Sequence, residues 1–411
     1  MVRVRIERLA AGGDGVGRLE DGMVVFVPRA APGDLAEVEV WERKPRFARA
    51  RLVRVLEPGP GRVDPLCVHY VADRCGGCQF QHLAAEVQLQ AKASLVGDAL
   101  RRIGKREVGD PPVVPSPAEW RYRTKITLAV SNGIIGLHRY DRPEEVFELG
   151  DCLIARESLM GLWRRLQNCK SELPRGVASV ALKEDRSGGL HLVVSGGEPP
   201  WEPEPLVRAL GDRVSVWWQP ARGAARVVSG NRRGFPALAF EQINPELAGR
   251  IREQAVQWLG EVEGRVVWDL YCGVGDTAFL LVQRGARVYA VDADRQAIEW
   301  ARSEYAARSG AVEFMHGLVE ESLHRLPEPD RVVANPPRRG MHALVTGALE
   351  GWARSRRGSR DPIRLCYISC DPATLARDLA RLPSFKLLEL KAFDLFPQTC
   401  HVETVALLAT G

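Results

Sequence analysis

The sequence predicts a multidomain protein whose carboxyl-terminal part is a Rossmann-like α/β domain, preceded by a small OB-like β-barrel and an α+β middle domain. Three observations lead there. From Gly234 to the end, apolar runs of strand length (RVVWDLYCGVGD, ARVYAVDAD, RVVANPP, LCYISCDP) alternate with helix-length segments, as in a parallel sheet covered by helices on both faces. Residues 1–58 are instead short valine-rich runs such as MVVFV and AEVEVW, broken by AGGDG, APGD and PGPG. At 411 residues and 45% hydrophobic content, the chain is long enough for two or three cores of ordinary size.

In chain order, the first 58 residues read as about five strands joined by glycine and proline turns, a barrel of the kind that commonly binds oligonucleotides on one face. AAEVQLQAKASLVGDALRRI, from Ala84 to Ile103, has apolar residues at helical spacing, with Arg101 and Arg102 near its end and Gly104 beyond. WRYRTKITLAV, GIIGLHRY, VASVALKE, LHLVVSG and RVSVWWQP then alternate like strands, and Glu157 to Leu166 reads as a helix. These place an α+β domain over residues 59–233 and the α/β domain over 234–411.

Composition narrows the setting. No apolar run reaches the roughly eighteen residues of a membrane span, and the first residues lack the apolar stretch of a secretory signal, so the cytoplasm is expected. Nine cysteines, unevenly spaced, do not resemble the framework of a disulfide-stapled secreted domain and point to metal ligation and catalysis. The net charge of +5 is modest. Its distribution is uneven: RKPRFARARLVR gathers Arg43, Lys44, Arg46, Arg49, Arg51 and Arg54 without an acidic residue, a candidate phosphate-binding stripe.

The segment from Val266 to Gly275 runs from a buried strand into Asp269, Tyr271, Gly273 and Gly275, with a helical pattern at Thr277 to Gln283. Glycines at a strand-to-helix turn let a ligand approach the backbone. The next strand ends in Asp292, at the spacing where a carboxylate can accept from ribose hydroxyls. A nicotinamide dinucleotide would use the same crevice, and Ala278 in the third glycine position does not exclude it. DLYCGVGD is nevertheless the form expected of class I methyltransferases, whose cofactor is S-adenosylmethionine.

The strand RLCYIS delivers Cys370 to its carboxyl end, where Asp371 suits an N-cap and Pro372 the first turn of the helix ATLARDLARL. A thiol beside a helix N-terminus is expected to favour the thiolate. Cys366, inside the strand, reads as a buried small hydrophobe. Carbon 5 of a pyrimidine becomes nucleophilic once a thiolate adds at carbon 6, and a base must later remove the carbon-5 proton. The last strand, CHVETVALL, offers Glu403 for that task. His401, two residues earlier on the same face of an extended strand, is the alternative.

Together, DLYCGVGD, NPPRRG, SCDPATLARDL and FPQTCHVE, in this order, resemble the uracil-5 methyltransferases of ribosomal and transfer RNA. The resemblance spans the chain, since the barrel phrase FVPRAAPGD and the basic strand after it look like a TRAM domain. It implies Cys370 as nucleophile and Glu403 as base, with Gln242 of FEQIN joining Tyr271, Gly273, Gly275, Asp292 and Asn335 at the S-adenosylmethionine site. Asn335 departs from the aspartate usual in that motif: its amide suits uracil in one orientation and cytosine in the other. Leu318 stands where many members carry a polar residue near the adenine.

Cys67, Cys75 and Cys78 form C-x7-C-x2-C, with Gly76 and Gly77 allowing a tight turn, while Cys152 stands apart. Zinc sites usually show two close pairs, whereas three clustered cysteines and a distant fourth suit a cubane with one thiolate per iron. The ribosomal members of the resembled family carry such a 4Fe-4S cluster, which implies these four as ligands. The expected function is methylation of carbon 5 of a uridine in RNA, with 23S ribosomal RNA the favoured substrate, by a monomer without an obligate protein partner. Transfer RNA or a cytosine target stays open. Two other classes also compete: an inactive RNA-binding ribosome-assembly protein, which an intact Cys370 and Glu403 disfavour, and a radical S-adenosylmethionine enzyme, which needs an iron without a protein ligand.

Overall fold

The computed structural model describes residues 1–230, 236, 238–306, 310–356 and 361–411. The expected boundary between Arg233 and Gly234 lies outside the described residues. The chain forms two compact units, one of Met1–Ala91, Ala118–Ala237 and Phe396–Cys400, the other of Lys92–Pro117, Leu238–Leu395 and His401–Gly411.

In the first unit, β1 (Val2–Leu9), β2 (Gly15–Arg18), β3 (Val24–Val27), β4 (Leu35–Arg43) and β5 (Phe47–Glu57) close into a barrel in the order β1-β2-β3-β5-β4. Period-two alternation fills it: Val4, Ile6, Val25, Val27, Ala36, Val38, Ala48 and Ala50 point inward and are buried, and the residues between them face out. Closure leaves no open sheet edge. A short helix α1 (Val68–Val71) follows, and then α2 (Ala85–Arg102), within a residue of the span expected from periodicity.

After the two-residue strand β6 (Val113–Val114) come β7 (Lys125–Ser131), β8 (Ile134–His138), β9 (Val146–Glu148), α3 (Glu157–Asn168), β10 (Val177–Glu184), β11 (Leu190–Gly196), α4 (Glu204–Leu210), β12 (Val214–Gln219) and β13 (Arg226–Ser229). The seven-stranded sheet of the first unit runs β13-β12-β11-β10-β7-β8-β9 and is antiparallel except between β11 and β12. Trp163 of α3 and Trp218 of β12 anchor its core.

The second unit holds α5 (Pro245–Trp258), β14 (Val266–Leu270), α6 (Asp276–Gln283), β15 (Arg287–Asp292), α7 (Arg295–Glu304), β16 (Val312–His316), α8 (Val319–Ser322), β17 (Arg331–Ala334), α9 (Ala343–Ser355), β18 (Arg364–Ser369), α10 (Pro372–Ala380), β19 (Phe385–Phe393) and β20 (Glu403–Thr410). Its sheet runs β16-β15-β14-β17-β18-β20-β19-β6. The strands from β16 to β18 are parallel, as their apolar runs predict, and β20 returns antiparallel to β18. Strand order reverses at β14, which opens a crevice at the carboxyl ends of β14 and β17, where ligands bind in such sheets. Among the described residues no helix is long and apolar enough to cross a membrane.

Candidate active site

The turn after β14 is shaped to bring backbone close to a ligand. Tyr271 and Gly273 both have positive φ, 64° and 55°, and no atom lies within 4 Å of where a Cβ on Gly273 would stand. Gly275, at φ 82°, has no such room: a Cβ there would meet Phe314 Cε1 at 2.7 Å. Asp292, at the end of β15, accepts from the Gly273 N–H through Oδ2 and from the Asp294 N–H through Oδ1, both at 2.8 Å. It therefore fixes the glycine turn, and each oxygen keeps a lone pair for a further donor. Asp269, one residue inside the same strand as the turn, is fully enclosed, and its Oδ2 has no partner. Burial pushes its carboxyl up to about 8. The DLYCGVGD motif contains Asp269, but only the three-dimensional enclosure distinguishes it as a site residue.

Asn335 follows β17 directly, and its backbone N–H donates to the Leu270 carbonyl at 3.1 Å, so it stands beside the end of β14. Gln242 is half-buried just before α5. Leu318 is partly exposed at the N-cap of α8.

Cys370 emerges half-buried from β18. Asp371 caps α10 as expected, accepting from the Thr374 N–H at 2.8 Å, with Pro372 in the first turn. The antiparallel ladder pairs Ser369 with Thr404, so the next residues outward, Cys370 and Glu403, come side by side. Glu403 is buried, and its Oε2 has no hydrogen-bond partner. Burial pushes its carboxyl up to about 8, against the nearby Arg338 guanidinium. The expectation of a resting thiolate is corrected: burial first, and then the Glu403 charge, push the Cys370 thiol up to about 11, with Arg338 opposing. A helix terminus contributes at most about 2 kcal/mol, too little to outweigh desolvation beside a carboxylate. The expectation for His401 is corrected as well. β20 begins at Glu403, so the alternation that would put both side chains on one face of a strand does not extend to His401. Cys366 is fully buried within β18, as its position suggests.

In the first unit, Cys67, Cys75 and Cys78 are buried and Cys152 is partly so, all with free thiols. They lie close enough to act on one another: Cys78 feels Cys152, Cys75 and Cys67, and Cys75 feels Cys152 and Cys67. The Gly77 N–H points at Cys75 Sγ at 3.4 Å. Among the described residues no three His, Cys, Asp or Glu side chains converge on a single ion. Beside this group sits a barrel residue, Arg29, at φ 62°. Its guanidinium lies 3.7 Å from the Tyr70 ring centre and 4.1 Å from that of Tyr140, and it donates to the carbonyls of Tyr70 and, at 2.8 Å, Cys75.

The basic stripe is mostly paired. Across the β4–β5 ladder, Arg54 faces Glu37, Arg51 faces Glu39 and Arg49 faces Glu42, each as an ion pair. Lys44 reaches Glu42 at 2.8 Å and Arg43 reaches Asp21 at 2.9 Å.

Residues 1–53 match the TRAM domain, and residues 234–410 match the tRNA (Uracil-5-)-methyltransferase family. A 23S rRNA (uracil(1939)-C(5))-methyltransferase of Salmonella typhi is 30% identical over 99% of this chain and 96% of its own length. The chain belongs to the RNA uracil-5-methyltransferase family. An RNA methyltransferase of Thermosynechococcus vestitus is also 30% identical, over 100% of this chain and 98% of its own. Among solved structures, the Pyrococcus abyssi tRNA (uracil-54, C5)-methyltransferase in complex with S-adenosyl-L-homocysteine superposes with a TM-score of 0.75 at 26% identity, covering 99% of this chain and 100% of that one.

Proposed function

We propose that this uracil-5 methyltransferase modifies a uridine of 23S ribosomal RNA, using Cys370 as nucleophile and Glu403 as base. The observation that carries the reading is the pairing, on neighbouring antiparallel strands, of a thiol with a buried carboxyl that has an unpartnered oxygen. The ribosomal substrate is supported by the 30% identical Salmonella relative.

The residues around the β14 turn fit S-adenosylmethionine. The unpartnered Asp269 Oδ2 suits the cofactor's ammonium group, Gly273 leaves room above the turn, and Asp292 keeps acceptor capacity for ribose hydroxyls. Tyr271, Gly275, Gln242 and Asn335 complete the set. When bound, the cofactor supplies an electrophilic methyl group. Cys370, its proton lost to solvent, adds as thiolate to carbon 6 of the base and the displaced electron pair moves onto the carbon-4 oxygen, which makes carbon 5 nucleophilic toward that methyl. Arg338 favours the thiolate against the burial that opposes it. Glu403 then removes the carbon-5 proton, the bond between carbon 6 and sulfur breaks, and the thiolate returns.

Cys67, Cys75, Cys78 and Cys152 would hold a 4Fe-4S cluster. A cubane takes one thiolate per iron, so its four ligands need not converge as they would on one ion, and four mutually interacting cysteines without disulfides suit it. Its role would be to pin the middle domain or to shape the RNA site. We read the domains as 1–58, 59–233 and 234–411, in a monomer that works in the cytoplasm.

Incubating the protein with S-adenosylmethionine and either 23S or transfer RNA, then mapping 5-methyluridine and 5-methylcytidine, tests the reading. The expected product is 5-methyluridine in 23S RNA. 5-Methylcytidine would transfer the assignment to the cytosine reading that Asn335 keeps open. Anaerobically purified protein should contain about four irons per chain and lose them in Cys75→Ser, whereas one zinc per chain would overturn the cluster.

A further inference from the structure

One buried carboxyl in the second unit lies outside the β14 turn and away from the thiol, yet it joins the elements around them. Asp378, in the last turn of α10, is fully buried. Its Oδ2 accepts from the Met341 N–H at 2.7 Å and from the Tyr367 hydroxyl at 2.8 Å. Its Oδ1 accepts from Arg377 Nη2 at 2.8 Å and from Arg381 at 3.4 Å. Arg377 in turn donates to the Arg339 carbonyl at 2.7 Å. The segment held this way is the turn of NPPRRG, closed by the Gly340 N–H on the Pro337 carbonyl at 2.7 Å. Gly340 has φ 77°, and a Cβ there would lie 2.4 Å from both Arg377 Nη2 and Asp378 Oδ2, so only glycine lets the turn settle on the helix. Tyr367 is in β18, three residues before Cys370, and α10 begins two residues after it.

A carboxylate taken wholly out of water needs its acceptor capacity filled, and four separate groups do that here. Two of the donors belong to the strand before the nucleophile and to the loop that carries Arg338, so the same charge fixes the spacing between them.

We propose that Asp378 is a positioning residue for methyl transfer: with Arg377 and Gly340 it clamps the NPPRRG turn onto the helix that follows Cys370, and so holds the Arg338 guanidinium beside Cys370 and Glu403. This rests on Cys370 being the nucleophile. The clamp acts by geometry, because displacement of about 1 Å at a reacting centre costs on the order of 10²-fold in rate.

The test uses the full-length protein with cluster intact. Asp378→Asn removes the charge, and Arg377→Met, at a half-exposed position, removes the tie to the Arg339 carbonyl and the two hydrogen bonds that Arg377 Nε and Nη2 donate to Asp378. A denaturation-resistant protein–RNA adduct that accumulates in Glu403→Gln and is lost in Cys370→Ala first establishes the nucleophile, and its absence from Glu403→Gln would overturn the Cys370 reading itself. Given that adduct, Arg377→Met should slow both adduct formation and kcat by ~10-fold, and Asp378→Asn by ~100-fold. S-adenosylhomocysteine affinity should stay within about 2-fold, and alkylation of Cys370 by iodoacetamide, followed by peptide mapping, should slow in parallel. Wild-type adduct and alkylation rates in folded Arg377→Met, or a loss matching only the unfolded fraction, would overturn the clamp. If Asp378→Asn does not fold, Arg377→Met and Gly340→Ala carry the decision by the same readouts.

Discussion

On the barrel, Arg49, Arg51 and Arg54 each face a glutamate across the β4–β5 ladder, in water, with each arginine side chain largely exposed. At the carboxyl edge of the eight-stranded sheet, Glu403 and Asp269 are enclosed, and each has a carboxylate oxygen without a partner. The first region has many charges, each nearly neutralised by its neighbour and worth little individually. In the second, burial pushes the carboxyls of Glu403 and Asp269 far above the ordinary range, outweighing the arginine near each. Charge density along a chain therefore locates surface, while uncompensated burial locates chemistry.

The largest effect that could break this contrast is at Cys370. Cys370→Ala should reduce methyl transfer by at least ~10³-fold and leave S-adenosylhomocysteine affinity within about 2-fold, measured by single-turnover transfer and calorimetry. Residual turnover near wild type would remove the thiol from the chemistry.

Glu403→Gln should still form the adduct but release product ~10²- to 10⁴-fold more slowly, so that adduct accumulates on a denaturing gel. Wild-type kcat should rise with pH as Glu403 loses its proton near pH 8. A flat profile from about pH 6.5 to about 9 would deny it the role of base.

The same carboxyl sharpens the contrast through stability. Its folded value lies above that of an unfolded glutamate, so the folded state binds the proton more tightly and stability falls as pH rises from about 4.5 toward 8. Glu403→Gln should therefore be more stable than wild type at about pH 8 by ~1–3 kcal/mol and indistinguishable at about pH 4, by urea denaturation. Equal stability at both pH values would mean that the carboxyl is solvated.

The smallest effect is expected on the barrel. A double-mutant cycle of Arg51→Ala and Glu39→Ala should give a coupling barely above experimental error, falling further in salt. A large coupling that salt does not weaken would erase the distinction between the two regions.

Much of this is legible in sequence where one periodicity rules. The alternating valines of the barrel, the helical spacing of Ala85–Arg102 and the apolar runs of the parallel strands each satisfy one rule over their whole length. β19 does not stand out, because it carries Lys386, Glu389 and Lys391 among its apolar residues, and β6 is too short to show any period. The carboxyl-terminal motif is legible in the same way, since SCDP and HVE carry their own turn and strand chemistry. What escapes depends on register. Nothing near Arg51 in the chain announces that Glu39 lies opposite, and nothing around Asp378 shows that Met341 and Tyr367 donate to it. The thiol misleads for a related reason: helix caps are written locally, whereas burial is contributed by strands far away in sequence.

Arg29 limits how the amino-terminal region can be taken apart. Its guanidinium belongs to the barrel by sequence, but its bonds end on the carbonyls of Tyr70 and Cys75 and its faces lie against Tyr70 and Tyr140. Cutting the chain at residue 58 would thus leave two carbonyls without their donor and two aromatic rings bare beside the cysteines. The barrel is a stopper as much as a module, and its removal is a lesion in the neighbouring loop before it is a loss of RNA grip.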